Sequence, residues 1–88
     1  MLILETGLKV PIVIEDKYPL TVTDIFPDKA VITYRGEILA LPFNAIIQLA
    51  PEIKITCRPR TSTTVSLGFD APRRITINRL RVHRRARK

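Results

Sequence analysis

Apolar and polar residues alternate with a period of two along most of this 88-residue chain, and that one property excludes most folds. Such a period puts every second side chain on one face, the geometry of a strand with one side buried. The clearest case is Ile53-Lys-Ile-Thr-Cys57, where Ile53, Ile55 and Cys57 point one way while Lys54, Thr56 and Arg58 point the other. Val65, Leu67 and Phe69 continue the pattern, as do Ile75 and Ile77 against Thr76 and Asn78. Residues 20–25, 30–34 and 37–41 are further strand candidates, with Arg35-Gly36 suited to a tight hairpin between the last two. In the candidate strand 10–14, Pro11 removes one donor and favours the strand's start or an edge. Residues 1–4 are apolar on both strand faces and suit a strand enclosed between others.

Helix has little room. Asn44 is placed to cap a short helix over residues 45–50, ended by Pro51. The tail from Leu80 has good helix formers and predicts a second short helix. The expected fold is mainly β: a small antiparallel sheet or barrel-like single domain over residues 1–88, with a short helix at each of these places.

Charge is distributed unevenly. Residues 73–88 hold eight Lys and Arg and no acid, whereas the first 72 hold seven basic and eight acidic residues. The whole positive excess therefore sits at one end, and a field localised in this way usually faces a polyanion such as RNA or DNA.

Other classes recede. The single Cys57 allows no internal disulfide and lies in an alternating strand, where a buried small side chain is the ordinary reading. His83 stands among arginines with no second His or acid beside it, so neither metal nor cofactor is expected. No nucleophile, base and oxyanion hole assemble from these residues, and the chain is expected to bind rather than catalyse. The hydroxyl run Thr61-Ser-Thr-Thr64 falls at a turn, where such residues are common. No apolar run approaches the roughly 20 residues that span a bilayer. The start Met1-Leu-Ile-Leu-Glu lacks the basic and long apolar regions of a signal peptide, so a cytoplasmic protein without membrane contact is expected. A β-protein this small has a modest core and often gains stability by pairing with a second copy.

One stretch is more specific. Val65-Ser-Leu-Gly-Phe-Asp-Ala-Pro72, followed by Ile75-Thr-Ile-Asn-Arg79, resembles the CsrA/RsmA family of bacterial post-transcriptional regulators, in which a Gly-x-x-Ala-Pro turn leads into a strand ending in an RNA-contacting arginine. Residues 51–80 follow the family pattern, and residues 1–16, opening Met1-Leu-Ile-Leu4, fit it as well. Residues 17–50 then stand as an insertion and 81–88 as a basic tail. A second division is also open, because Ile32-Thr-Tyr-Arg-Gly-Glu-Ile-Leu39 resembles the family's early segment too. On that division residues 30–88 are the family unit and 1–29 an extension or partial duplication.

The resemblance implies an interlocked homodimer with two RNA sites, each joining the first strand of one subunit to the last strand of its partner. It implies recognition of GGA elements in mRNA 5' leaders or small regulatory RNAs, with effects on translation or mRNA stability. Carried over onto this sequence, the RNA-binding residues are Leu4, Ala71, Pro72, Arg73, Ile77, Asn78 and above all Arg79. Arg81, Arg84 and Arg85 would add phosphate attraction. Two departures stand out: the family's basic pair after the opening strand is replaced by Thr6 and Gly7, and its following Gly-Glu by Lys9 and Val10. They leave two other readings open, a basic β-barrel that binds nucleic acid without GGA preference, and a family-like protein-interaction module or antagonist.

Truncation after Val82 removes Arg84, Arg85, Arg87 and Lys88. Affinity for all RNAs is expected to fall together, and the slope of log affinity against log salt to become shallower by roughly 0.7 for each phosphate no longer neutralised. Anisotropy titrations of GGA and scrambled hairpins at two salt concentrations check this; selective loss of GGA binding would assign base reading to the tail.

Overall fold

The structure, a computed structural model, describes residues 1–79. Among these described residues nine strands follow one another: β1 (Leu2–Gly7), β2 (Ile12–Ile14), β3 (Tyr18–Ile25), β4 (Lys29–Tyr34), β5 (Glu37–Pro42), β6 (Ile46–Ala50), β7 (Ile53–Pro59), β8 (Thr64–Asp70) and β9 (Ile77–Arg79). They form two antiparallel sheets, one of order β1-β8-β7-β6 and one of order β5-β4-β3-β2-β9.

The alternation places the core. Ile53, Ile55 and Cys57 from β7 and Val65, Leu67 and Phe69 from β8 are buried, and so are Ile12, Ile14, Leu20, Val22, Ile32 and Leu41 from the other sheet. These side chains belong to one cluster, so the two sheets bury their inner faces against each other as in a sandwich. The strand polarity expected for β7 is observed, with Lys54 and Arg58 exposed. At the β4–β5 hairpin, Arg35 (φ 52°) and Gly36 (φ 80°) both adopt left-handed backbone, which matches the twist of the flanking strands. The Arg35 guanidinium lies 4.4 Å from the centre of the Tyr18 ring. No helix among the described residues is long and apolar enough to cross a membrane.

Three expectations are corrected. Residues 45–50 form no helix: Ile46–Ala50 is β6, paired with β7 through Ile47↔Ile55 and Gln48↔Lys54. Six residues with two adjacent isoleucines make a poor isolated helix, whereas as a strand they pair along β7. Asn44 is accordingly a left-handed turn residue (φ 68°) and not a cap. Among the described residues of one chain the N-terminal strand is not enclosed on both sides: β1 is an edge of its sheet, paired with β8, and Met1, Leu2 and Ile3 are exposed. The last strand starts at Ile77 and not at Ile75, because the Ile75 N–H closes a turn onto the Pro72 carbonyl at 3.1 Å. The expected C-terminal helix lies outside the described residues.

Burial ranks the strand positions. Leu67→Ala, which empties a fully buried site, is expected to cost about 2–5 kcal/mol. Ile38→Ala, at a side chain 75% exposed, is expected to change stability by no more than about 0.5 kcal/mol. Urea denaturation of both variants checks the ranking.

Candidate functional site

β9 adds to the free side of β2 through Ile77↔Ile14, Asn78↔Val13 and Arg79↔Ile12. This pairing carries Arg79 to the border between the two sheets, beside the end of β1. An open hollow lies there, lined by Glu5, Thr6, Gly7, Val10, Thr64 and Arg79. Its floor is held firmly. Thr6 is only 5% exposed, and its hydroxyl donates to the Val10 carbonyl at 3.1 Å. The chain between them is anchored to both sheets: Leu8 N–H donates to the Thr63 carbonyl at 3.2 Å and Lys9 N–H to that of Val22 at 2.8 Å.

The polar groups at this corner are few and specific. Arg79 Nε is buried and has no hydrogen-bond partner among the described residues. A buried guanidinium N–H without an acceptor is costly, and such groups usually meet water, an ion or a ligand. Glu5, on the rim, is paired with Arg60 at 3.7 Å across exposed side chains, an arrangement that contributes little energy. The Thr6 hydroxyl is engaged with Val10 and that of Thr64 is paired with the Thr61 hydroxyl at 2.7 Å, so the corner offers chiefly one forked donor and strand backbone, a set suited to the edge of a base or to a phosphate.

The structure brings together some of the residues singled out from the sequence and separates others. Leu4, half-buried against the core, precedes Glu5 on β1, and Ile77, Asn78 and Arg79 make up β9. Ala71 and Pro72 line a different hollow with Gln48, Pro51 and Asp70. Arg73 is exposed, and its neighbour Arg74 is paired with Glu52. Arg81, Arg84 and Arg85 lie outside the described residues. Glu5, Val10 and Thr64 were not expected at the site. Nothing in their sequence signals it, since Glu5 and Thr64 meet through the pairing of β1 with β8 and Val10 through the turn that follows β1.

Another concavity lies on the outer face of the first sheet. Met1, Ile3 and Ile46 give it an apolar floor, and Arg58 and Arg60 border it. Gly68 runs beneath Met1, whose Sδ would lie 3.0 Å from an added Cβ. Methionine can move aside, so the contact does not by itself require glycine.

Compared with protein-family models, with curated proteins and with solved structures, the chain matches none.

Cys57 stays out of the chemistry. Burial pushes its thiol up to about 11, and the thiolate needed for reaction is scarce near neutrality. Native protein is expected to resist alkylation by iodoacetamide at pH 8, with labelling appearing on denaturation in urea. The shift also sets a sign. Between about pH 9, where an unfolded thiol ionises, and the native value of about 11, the native state holds the proton more tightly. Stability from this group is full below pH 9 and declines as pH rises through that interval, which urea midpoints in Cys57 and Cys57→Ala proteins compare.

Proposed function

We propose that the chain is an RNA-binding regulator that reads a short single-stranded element at the corner between β1 and β9. The observation that carries this reading is the Arg79 guanidinium, partly buried at the joint of two sheets with its Nε–H unpartnered among the described residues. Single-stranded loops are recognised by splaying bases out and bonding their edges, commonly through groups on a strand. An arginine fork can bond guanine O6 and N7 together while its charge attracts phosphate. The basic residues that follow Arg79 in sequence add positive charge that attracts phosphate.

The resemblance of residues 65–79 to the CsrA/RsmA family gives the ligand its identity in this proposal: a GGA element in an mRNA leader or small RNA, bound in competition with the ribosome. The corner supports the part of that resemblance that joins the first strand to the last. It departs from it in offering Thr6 and Gly7 where basic residues are usual, so base contact here leans more heavily on Arg79. A second reading, a protein-interaction module, is favoured by the exposed apolar strip of Met1, Ile3 and Ile46.

Arg79→Ala is expected to weaken binding to a GGA hairpin by about 1–3 kcal/mol and to relax preference over a scrambled hairpin. Circular dichroism checks that the variant is folded. A folded variant with undiminished GGA binding would remove Arg79 from the site. Failure of the wild-type chain to bind any RNA at low salt would favour the protein-interaction reading.

A further inference from the structure

Adding 35 to a residue number carries the first half of the chain onto the second, strand for strand: Leu2 to Glu37, Tyr34 to Phe69, and so β1 to β5, β2 to β6, β3 to β7 and β4 to β8. The pairings are carried with it. Leu4↔Leu67 between β1 and β8 becomes Leu39↔Ile32 between β5 and β4. Ile12↔Leu20 becomes Ile47↔Ile55, and Leu20↔Tyr34 becomes Ile55↔Phe69.

Irregular features repeat as well. Lys9 and Asn44 both have left-handed backbone, at φ 62° and 68°. Lys9 N–H donates to the Val22 carbonyl at 2.8 Å, and Asn44 N–H to that of Cys57, the corresponding residue, at 2.9 Å. Val10 N–H reaches Gly7 at 3.3 Å, and Ala45 N–H reaches Pro42 at 3.2 Å. Buried positions coincide in Leu20 and Ile55, Val22 and Cys57, Ile32 and Leu67, and Tyr34 and Phe69.

The chain is thus two copies of one four-stranded unit, and the copies exchange strands. β1 of the first copy completes the meander β8-β7-β6 of the second, while β5 of the second completes β4-β3-β2 of the first. A reciprocal exchange of this kind is how two separate subunits interlock.

The symmetry fails locally at two register shifts, between Val22 and Asp24 and between Gln48 and Ala50, which have no counterparts in the other half, and it fails most at one place. After β8 the chain continues through residues 71–76 into β9, which closes on β2. After β4 it turns at once through Arg35-Gly36 into β5, leaving no residues for a matching strand on β6. Among the described residues the second corner therefore has no arginine equivalent to Arg79. Its walls differ in chemistry too, since Glu5, Thr6, Gly7 and Val10 correspond to Ala40, Leu41, Pro42 and Ala45. Leu41 is buried, filling the position where Thr6 presents a hydroxyl. The edge of β6, which no strand among the described residues covers, is also guarded: its register shifts between Gln48 and Ala50, and the Gln48 amide donates to the Ala50 and Pro51 carbonyls at 2.7 and 3.1 Å.

We propose that this polypeptide is a strand-exchanged pair of units in one chain, and that it binds one RNA element per molecule, at the β1–β9 corner alone. The choice of RNA as ligand rests on the function proposed above; the arrangement of the two halves does not. The strand exchange that the family resemblance assigns to a second copy is here made between the chain's own halves. A regulator of this form occupies one element and cannot bridge two.

Two measurements on the full-length chain test the proposal. Light scattering at micromolar concentration is expected to give 10.0 kDa, the mass of one chain. Titration with a GGA hairpin, followed by calorimetry and by amide chemical shifts, is expected to saturate at one hairpin per chain. Shifts should concentrate at Glu5, Thr6, Gly7, Thr64 and Arg79 and spare Ala40 and Leu41. A stable dimer would overturn the one-chain pair. Two hairpins per chain, or equal shifts at both corners, would overturn the single site while leaving RNA binding standing. Absence of binding by every RNA tried would overturn both the single RNA site and the function it rests on, with the measured mass still deciding the arrangement of the halves.

Discussion

The pairing of β1 with β8 holds the rest of the candidate site in place. It joins the first strand to a strand near the other end of the described chain through six residue pairs, from Leu2↔Phe69 to Gly7↔Thr64. Because the ladder fixes which face of β1 turns inward, Leu4 and Thr6 meet the core and Ile3 and Glu5 face outward. A slip of one residue would reverse all four. The same ladder puts Thr64 next to Gly7, so one wall of the corner is set by backbone bonding and not by side-chain packing. Arg79 arrives from the opposite sheet. The site is therefore only as well defined as the contact between the sheets, which the buried cluster of isoleucine, leucine and valine supplies.

Much of the strand content was legible because it rests on a local rule. Residues 20–25, 53–58 and 65–69 alternate, and alternation is visible without knowing partners, while 30–34 and 37–41 are apolar runs that flank a hairpin signal. The Arg35-Gly36 turn was legible for the same reason. What could not be read was partnership. Residues 1–4 suggested an enclosed strand because both faces are apolar, yet β1 is an edge; apolarity shows that a face can be buried, not which neighbour buries it. Residues 45–50 suggested a helix because Asn44 and Pro51 are ordinary helix punctuation, and only the ladder with β7 decides otherwise.

The internal correspondence was hidden for a related reason. Of the 35 aligned pairs only four are identical: Ile3 and Ile38, Leu4 and Leu39, Ile12 and Ile47, and Thr21 and Thr56. What the two halves share is burial and hydrogen-bond pattern, which many apolar residues satisfy equally well. Val22 and Cys57, or Tyr34 and Phe69, occupy equivalent buried places without resembling each other enough to stand out. The segment 32–39 did carry a trace of repetition, and it is where the second unit begins. At the corner, Arg79 was legible from the motif around it, whereas Glu5, Val10 and Thr64 were not, since they converge only in three dimensions.

The β1–β8 ladder also fixes a sequence of events in time. Its residue pairs close stretches of chain between 57 and 67 residues long, and closing so long a loop is entropically slow compared with forming a hairpin such as β4–β5. During synthesis β1 must wait, apolar and unpaired, until β8 has followed it. The three-stranded meander β2-β3-β4 has local partners and can assemble in the meantime. The corner with Arg79 is then the last part to be assembled, and a molecule halted before β8 would display its first four residues as an open adhesive edge.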